Sequence, residues 1–263
     1  MNVYTIGIDI GSASSKVVIL KDGNSIEAWS VIQTGTGSSG PEKAMEQALA
    51  EAGISLEEAA EIVATGYGRM NSAYTDKQFS EISCHAKGIA HLLPNARTII
   101  DIGGQDAKAI RLDDRGMVQQ FAMNDKCAAG TGRFLEVMAR VMETTLPELQ
   151  EWDAKATTAA HVSSTCTVFA ESEVISLLSA GTPKADIIAG VHKSVASKAG
   201  SLVLRIGLQE DVVMSGGVAQ NHGVVKAMEA ELKVPIQVAP NPQIVGALGA
   251  ALFAYEAQVK KQK

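Results

Sequence analysis

The sequence predicts an α/β protein made of two related lobes, and three observations support this fold class. The composition, 46% hydrophobic and 20% charged over 263 residues, is that of a globular chain that can bury a core. Short β-branched runs alternate with stretches of helical periodicity. The residues around Asp9 recur around Asp101, 92 positions later, and a duplicated lobe implies a cleft between the two copies.

The first half of the chain predicts a hairpin, a third strand, a helix, a fourth strand and a second helix. The first helix contains Pro41, which is tolerated in a first helical turn, and Gly53 ends it. A turn at Asp22-Gly23 separates the hairpin from the third strand. The predicted strands span residues 3–9, 16–20, 26–33 and 61–65, and the second helix spans residues 82–93.

The second half opens on a copy of the hairpin and is then mostly helical. Residues 8–11 match residues 100–103, Lys16 matches Lys108, and Leu20 matches Leu112. Two copies are too few for a solenoid, so the repeat indicates a duplicated lobe. The predicted strands span residues 98–102, 107–112, 212–214 and 236–239, and the predicted helices span residues 131–143, 147–153, 169–180, 184–207 and 244–255.

We place the boundary between the two lobes after residue 125. The first lobe, residues 1–125, then carries both hairpins, and the second lobe, residues 126–263, carries the later helices. The final helix is expected to close the second lobe, because its apolar residues share one face. These residues are Ile244, Ala247, Leu248, Ala251, Leu252 and Tyr255.

Charge and cysteine content narrow the function classes. Lys and Arg number 23 against 29 Asp and Glu, a net charge of −6, so nucleic acid is not an expected partner. The apolar stretches fall short of a membrane span, and Asp9 interrupts the run that a signal peptide needs, so we expect a cytoplasmic protein without a membrane partner. Three cysteines are too few for a disulfide framework, which leaves buried thiols or metal ligands.

Turns of small residues follow the first strand of each hairpin: Gly11-Ser12-Ala13-Ser14-Ser15 and Gly103-Gly104-Gln105-Asp106. Such turns can point several backbone N–H groups at one anion, because no bulky side chain blocks its approach. One such turn is more often a plain hairpin, whereas the matched pair and a third turn at Gly216-Gly217 favour a polyphosphate ligand. Neither a Walker A loop nor a G-x-G-x-x-G fingerprint is present.

Charged residues border both turns. Asp9 and Asp101 each lie at the end of a strand, where a carboxylate could hold hydrated Mg²⁺ through water. Lys16 could neutralise phosphate charge.

The segments that begin at Asp9, Asp101 and Ser215 resemble the phosphate 1, phosphate 2 and adenosine motifs of the acetate and sugar kinase, Hsp70 and actin superfamily. The resemblance implies two RNase H-like lobes with ATP or ADP in the cleft. We also expect Gln105 and Asp106 to face the γ-phosphate and to position the attacking water, because their turn would oppose residues 12–16 across that cleft. The nucleotide-binding residues that the resemblance implies are Asp9, Gly11, Ser12, Ala13, Ser14, Ser15, Lys16, Asp101, Gly103, Gly104, Gly132, Arg133, Gly216, Gly217, Gln220, Gln243 and Gly246.

Two of the cysteines stand directly before predicted helices. Cys127 precedes the helix that carries Phe134, and Cys166 precedes the helix over residues 169–180. A helix N-terminus stabilises a thiolate and the negative charge of an iron-sulfur cluster. A cubane cluster usually takes four thiolates, so a homodimer that brings Cys127 and Cys166 together from each copy would complete the set. Cys84, inside a helix, is expected to be a buried apolar residue.

The stretches around these two cysteines, residues 124–134 and 164–174, look like those of the activator component of 2-hydroxyacyl-CoA dehydratases, in the BadF/BadG/BcrA/BcrD ATPase family. The likeness covers essentially the whole chain. It implies a homodimer with one 4Fe–4S cluster between its subunits, which takes an electron from ferredoxin or flavodoxin. ATP hydrolysis, with Mg²⁺, then drives that electron to a separate dehydratase. An oxygen-sensitive cluster implies an anaerobic host and amino-acid fermentation.

Three alternatives stay open at this point. In a small-molecule kinase of the same superfamily, Asp106 would act as the base and the cysteines would only pack. The chain could instead be the ATPase subunit of a benzoyl-CoA reductase-like complex. A nucleotide-sensing scaffold that hydrolyses ATP incidentally is the third.

Overall fold

A computed structural model describes residues 2–74 and 77–261. In this part of the chain, no helix combines the length and the apolar character needed to cross a bilayer. The strands are β1 (Tyr4–Ile10), β2 (Ser15–Lys21), β3 (Ser25–Ile32), β4 (Ala59–Thr65), β5 (Thr98–Ile102), β6 (Ala107–Leu112), β7 (Val118–Asn124), β8 (Val212–Ser215) and β9 (Ile236–Val238). The helices are α1 (Gly40–Ala52), α2 (Glu81–Leu92), α3 (Gly132–Val141), α4 (Leu146–Asp153), α5 (Thr167–Ser179), α6 (Lys184–Ile206), α7 (His222–Leu232) and α8 (Val245–Lys261).

The chain divides into two compact units, and the first contains the described residues up to Asn95, Asp113–Val118 and the residues from Ala239 onward. Its sheet has the order β3-β2-β1-β4, with β1 antiparallel to β2 and parallel to β4. Ile8 and Met45 belong to the core that β1 forms with α1, and Leu20 and Leu248 to the core that β2 forms with α8. Both faces of this sheet are therefore covered by helices.

The second unit contains Ala96–Leu112 and Gln119–Val238. Its sheet has the order β7-β6-β5-β8-β9, with β5 antiparallel to β6 and parallel to β8. Its core joins this sheet to α3, α6 and α7, with Phe134, Val195 and Met228 fully buried. Each unit thus contains one copy of the repeated hairpin.

This division differs from the predicted boundary after residue 125. The second hairpin lies in the second unit because β5 pairs with β8, which follows it by more than 100 residues. The prediction that the final helix closes the second lobe is wrong, since α8 packs in the first unit. Gly7 explains the contact: a Cβ there would lie 1.9 Å from the carbonyl oxygen of Ala247, so only glycine lets α8 approach β1 this closely.

Candidate functional site

The first hairpin places an acid and a base opposite each other. The register of β1 and β2 pairs Asp9 with Lys16, and Lys16 Nζ lies 3.1 Å from Asp9 Oδ2. In the turn between them, the Gly11 N–H donates to the Ser14 carbonyl at 3.0 Å. Thr36 braces the turn by donating its backbone N–H to the Gly11 carbonyl at 2.9 Å. Hydrogen bonds within and beyond the turn thus hold residues 11–14 beside the ion pair.

Gly246, at the start of α8, lies beside both Asp9 and His85 of helix α2. A Cβ built on Gly246 would lie 3.3 Å from Asp9 Oδ2 and 3.0 Å from His85 Cε1, so the predicted nucleotide residue Gly246 lies beside Asp9. His85 Nδ1 lies 2.8 Å from the Glu81 carbonyl oxygen, which can only accept, so Nδ1 carries the proton. Gln243, half-buried, precedes α8 in the same unit.

The second hairpin repeats the pair and adds two partners. Lys108 Nζ lies 3.2 Å from Asp101 Oδ2 and 2.5 Å from Asp106 Oδ2. Ser215, at the end of β8, donates its hydroxyl to Asp101 Oδ1 at 2.8 Å. The Lys108 side chain is 3% exposed, so one buried ammonium neutralises two carboxylates. Asp106, with 24% of its side chain exposed, and Gln105 are the groups of this turn that reach solvent.

The two hairpins therefore differ in how open they are. Lys16 keeps 15% of its side chain exposed, whereas Lys108 and Asp101 are almost fully enclosed. Both oxygens of Asp101 already accept from Lys108 and Ser215. Hydrated Mg²⁺ consequently fits Asp9 better than Asp101.

Helix α3 begins on the carbonyl groups of the second turn. The backbone N–H of Gly132 donates to the Gly103 carbonyl at 2.9 Å, and that of Arg133 donates to the Gly104 carbonyl at 2.7 Å. The Arg133 guanidinium pairs with Glu136 at 2.7 Å and is largely exposed. The backbone N–H groups of both predicted nucleotide residues are thus engaged within the protein, and they tie the turn to α3.

The third turn lies against the end of β5. Gly216 has a φ of 85°, and a Cβ there would lie 2.3 Å from the Ile102 carbonyl oxygen, so the position requires glycine. The Ala219 N–H donates to the Gly216 carbonyl at 3.2 Å. Gly217 and Gln220 are exposed on the same turn, where a ligand can reach them.

Cys127 lies in a loop that hydrogen bonds hold between β7 and α3. The side-chain amide of Asn124, the last residue of β7, donates to the carbonyls of Cys127 at 2.7 Å and Ala129 at 3.3 Å. The Thr131 hydroxyl donates to the Ala128 carbonyl at 2.7 Å. Cys127 is half-buried, and it does not stand directly before a helix as predicted, because α3 begins only at Gly132 with Thr131 as its N-cap.

Cys166 occupies the N-cap position of α5. Its backbone is extended, and its side chain makes no capping hydrogen bond, so the first N–H groups of α5 have no side-chain partner there. Val168 and Phe169 follow with 65% of their surface exposed each. The Thr167 hydroxyl is buried without a hydrogen-bond partner in the described part of the chain.

Ser163 anchors the segment that leads to Cys166. Its N–H donates to Glu173 Oε2 at 2.7 Å, and its carbonyl accepts from the Ser194 hydroxyl at 3.0 Å. Two cavities of about 430 Å³ flank this segment, and His161 lines both of them.

A single copy supplies few metal ligands. Among the described residues, no three His, Cys, Asp or Glu side chains are grouped to hold a metal ion. Cys84 is fully buried, as expected, and burial raises the pKa of its thiol to about 12. Cys127 and Cys166 are therefore the two cysteines of the chain that are not fully buried.

Sequence reasoning missed four residues around these groups. The match of Lys16 to Lys108 was the available signal for Lys108. Ser215 and Asn124 stand in segments that carry the resemblances, but no pattern predicted their contacts or those of His85, because the partners are distant in sequence or are backbone groups.

The paired hairpins and the Gly216 turn, on two units with helix-covered sheets, define a protein of the actin, Hsp70 and sugar kinase fold. A glucokinase of the ROK family from Streptomyces griseus shares this fold at a TM-score of 0.58 and 13% identity, covering 96% of this chain and 99% of that one. The predicted fold class is confirmed.

The chain belongs to the BadF/BadG/BcrA/BcrD ATPase family, whose sequence profile matches residues 6–254. It is 66% identical over 259 residues to an activator of lactoyl-CoA dehydratase from Anaerotignum propionicum, covering 98% of this chain and 100% of the relative. The structure of an activator of 2-hydroxyisocaproyl-CoA dehydratase from Clostridium difficile with bound ADPNP is similar at a TM-score of 0.96 and 52% identity, covering 99% and 97%. The structure of component A of (R)-2-hydroxyglutaryl-CoA dehydratase from Acidaminococcus fermentans is similar at a TM-score of 0.94 and 54% identity. The match covers 98% of this chain and 99% of that one.

Proposed function

We propose that this protein is an ATP-dependent activator that passes one electron from ferredoxin or flavodoxin to a 2-hydroxyacyl-CoA dehydratase. The observation that carries the proposal is the pair of partly exposed cysteines, Cys127 in the loop before α3 and Cys166 at the N-cap of α5, in the unit whose phosphate turn is hydrogen-bonded to α3. Full-length likeness to proteins named as dehydratase activators supports the partner.

ATP is bound by the residues of the three turns. Lys16 and the small residues 11–15 contact phosphate, and Asp9 holds Mg²⁺ through water. Gly216, Gly217 and Gln220 take the adenosine. Gln105 and Asp106 position the attacking water, and Lys108 holds the Asp106 carboxylate in place for this task.

The metal site is completed by a second copy of the chain. Cys127 and Cys166 of each copy would hold one 4Fe–4S cluster, which supplies a one-electron carrier when bound. Three observations support the fit: the N–H groups of α5 without a side-chain cap, the unpartnered Thr167 hydroxyl beside Cys166, and the exposed apolar residues that follow it. Val168 and Phe169 belong to a surface that a single chain leaves uncovered.

Nucleotide and thiols are linked through α3. Because the Gly103 and Gly104 carbonyls accept from the first N–H groups of α3, a shift of this turn around the γ-phosphate moves the helix start. The Asn124 amide then carries the shift to the Cys127 backbone. Hydrolysis of ATP reverses the shift and gives the transfer its direction.

Anaerobic purification with iron and sulfide analysis tests the proposal. We expect four irons for every two chains, loss of iron in the Cys127→Ala and Cys166→Ala variants, and full iron in Cys84→Ala, the matched control. Iron loss in Cys84→Ala alone, or a full cluster in a monomer, would contradict the shared site. A colourless protein that phosphorylates a sugar or a carboxylate would favour the kinase alternative.

A further inference from the structure

His192 is a fully buried polar residue of α6 with a partner on each ring nitrogen. Nδ1 lies 3.0 Å from Asp153 Oδ1, at the end of α4. Nε2 lies 3.3 Å from Asn221 Nδ2, at the start of α7. The imidazole therefore joins three helices of the second unit.

The hydrogen bonds of Asn221 fix the direction of this chain of contacts. Asn221 Oδ1 accepts from the Val224 N–H at 3.2 Å and caps α7, so the NH₂ end of the amide faces His192. An NH₂ group only donates, so Nε2 must accept and carry no proton. The proton is then on Nδ1 and is donated to Asp153. One neutral tautomer satisfies all four groups.

A glycine in α7 leaves space for this imidazole, although glycine lowers the helix propensity of the segment. Gly223 lies in the first turn of α7, although glycine is a poor helix former. A Cβ on Gly223 would lie 2.5 Å from His192 Nδ1 and 3.1 Å from Asn221 Oδ1. Alanine would therefore displace the ring or the amide, and glycine preserves both contacts.

Asn221 belongs to the third turn as much as to α7. It directly follows the short helical turn Gly217–Gln220, and its N–H donates to the Val218 carbonyl at 3.0 Å. Helix α4 also contacts this junction between the turn and α7, because Gln150 Oε1 accepts from the N–H of His222 at 3.3 Å. The Asn221 backbone thus joins the end of the turn Gly217–Gln220 to the start of α7, while its amide contacts His192.

We propose that His192 is a positioning residue for nucleotide binding, which orients Asn221 and, through it, the turn Gly217–Gln220. Asp153, at the end of α4, accepts a hydrogen bond from Nδ1 of the ring. Asn221, at the start of α7, donates its amide N–H to Nε2. The proposal rests on the proposed function only in the assignment of the adenosine to this turn.

Two substitutions of His192 test its two hydrogen bonds separately, the one at Nδ1 and the one at Nε2. Glutamine at position 192 can place a carbonyl oxygen near the position of Nε2 and accept from Asn221. Asparagine is shorter, so it can donate to Asp153 but cannot reach Asn221. We expect His192→Asn to weaken ADP binding about tenfold, the effect of losing one buried hydrogen bond. His192→Gln should stay within about twofold of wild type.

Isothermal titration of ADP into the anaerobic holoprotein measures both variants, with circular dichroism and thermal unfolding to check the fold. Equal weakening in the two variants, or none in either, would overturn the proposal. Wild-type protein that binds no ADP would instead contradict the proposed function.

A measurement on unaltered protein tests the proposal independently of any variant. The ¹⁵N shifts of the His192 ring should show a protonated Nδ1 and a bare Nε2 at neutral pH. In Asn221→Asp, whose carboxylate can still cap α7 but cannot donate, the Nε2 signal should move towards the protonated form. An Nε2-protonated ring in wild type would refute the assigned chain of hydrogen bonds.

Discussion

Replacing Lys108 by methionine tests whether its buried ammonium holds the second phosphate turn. The side chain is 3% exposed and lies 3.2 Å from Asp101 and 2.5 Å from Asp106. Methionine fills a similar volume, so the loss is mainly electrostatic: the buried Asp101 carboxylate is left without its cation. Removing one partner of a buried ion pair costs about 3–5 kcal/mol. For a chain of this length, that is a fall in Tm of roughly 10 °C.

Urea unfolding of Lys16→Met provides the matched control, because Lys16 occupies the same position in the first hairpin. Its side chain is 15% exposed, so we expect a smaller loss of about 1–2 kcal/mol together with weaker ATP binding. Adding Asp101→Asn to Lys108→Met should restore part of the stability, since a neutral amide needs no counter-ion. Equal losses in the two single variants, or no loss in Lys108→Met, would refute this reasoning.

Three further outcomes are expected. Asp106→Asn should fold and bind ATP but release phosphate roughly a hundredfold more slowly in a single-turnover assay, and unchanged turnover would remove Asp106 from the mechanism. In iron-free protein at pH 8, iodoacetamide should label Cys127 and Cys166 but not Cys84, whose burial raises its pKa to about 12; mass spectrometry decides. Hydrogen bonds from the Thr157 and Thr158 N–H groups lower the pKa of Asp186 below its ordinary 3.8. Its contribution to stability is therefore present above pH 4 and lost as the pH falls through that lowered pKa; Asp186→Asn should lack this pH dependence in urea unfolding.

The hairpins and most helices could be predicted because their signals are local. Alternation and turn residues lie within a few residues of each other, and each copy of the repeat around Asp9 and Asp101 is itself a short segment. The predicted strands agree with the observed ones to within one or two residues. Strand β7 was missed: Gln119 and Gln120 interrupt its apolar pattern, since the strand lies at the edge of its sheet with one face largely exposed.

The placement of α8 and the roles of the predicted nucleotide residues depend on distant contacts. Periodicity identifies the buried face of α8 but not the sheet that covers it, and the deciding residue is Gly7. The sequence suggests that the backbone N–H groups of Gly132 and Arg133 can bind nucleotide. In the structure these groups donate to the Gly103 and Gly104 carbonyls. Lys16 and Lys108 occupy equivalent positions in the repeat, but the Lys16 side chain is 15% exposed and the Lys108 side chain only 3%. The repeat does not predict this difference in burial.

The rate at which a chelator removes iron tests most directly the claim that nucleotide controls the shared cluster. Anaerobic protein is mixed with bathophenanthroline disulfonate, and iron release is followed by absorbance in the presence of ADP or of a non-hydrolysable ATP analogue. A shift of the turn at Gly103 and Gly104 moves the start of α3 and the Cys127 loop, so release should be faster with the ATP analogue. Identical rates with the two nucleotides, at the same salt and pH, would contradict the account.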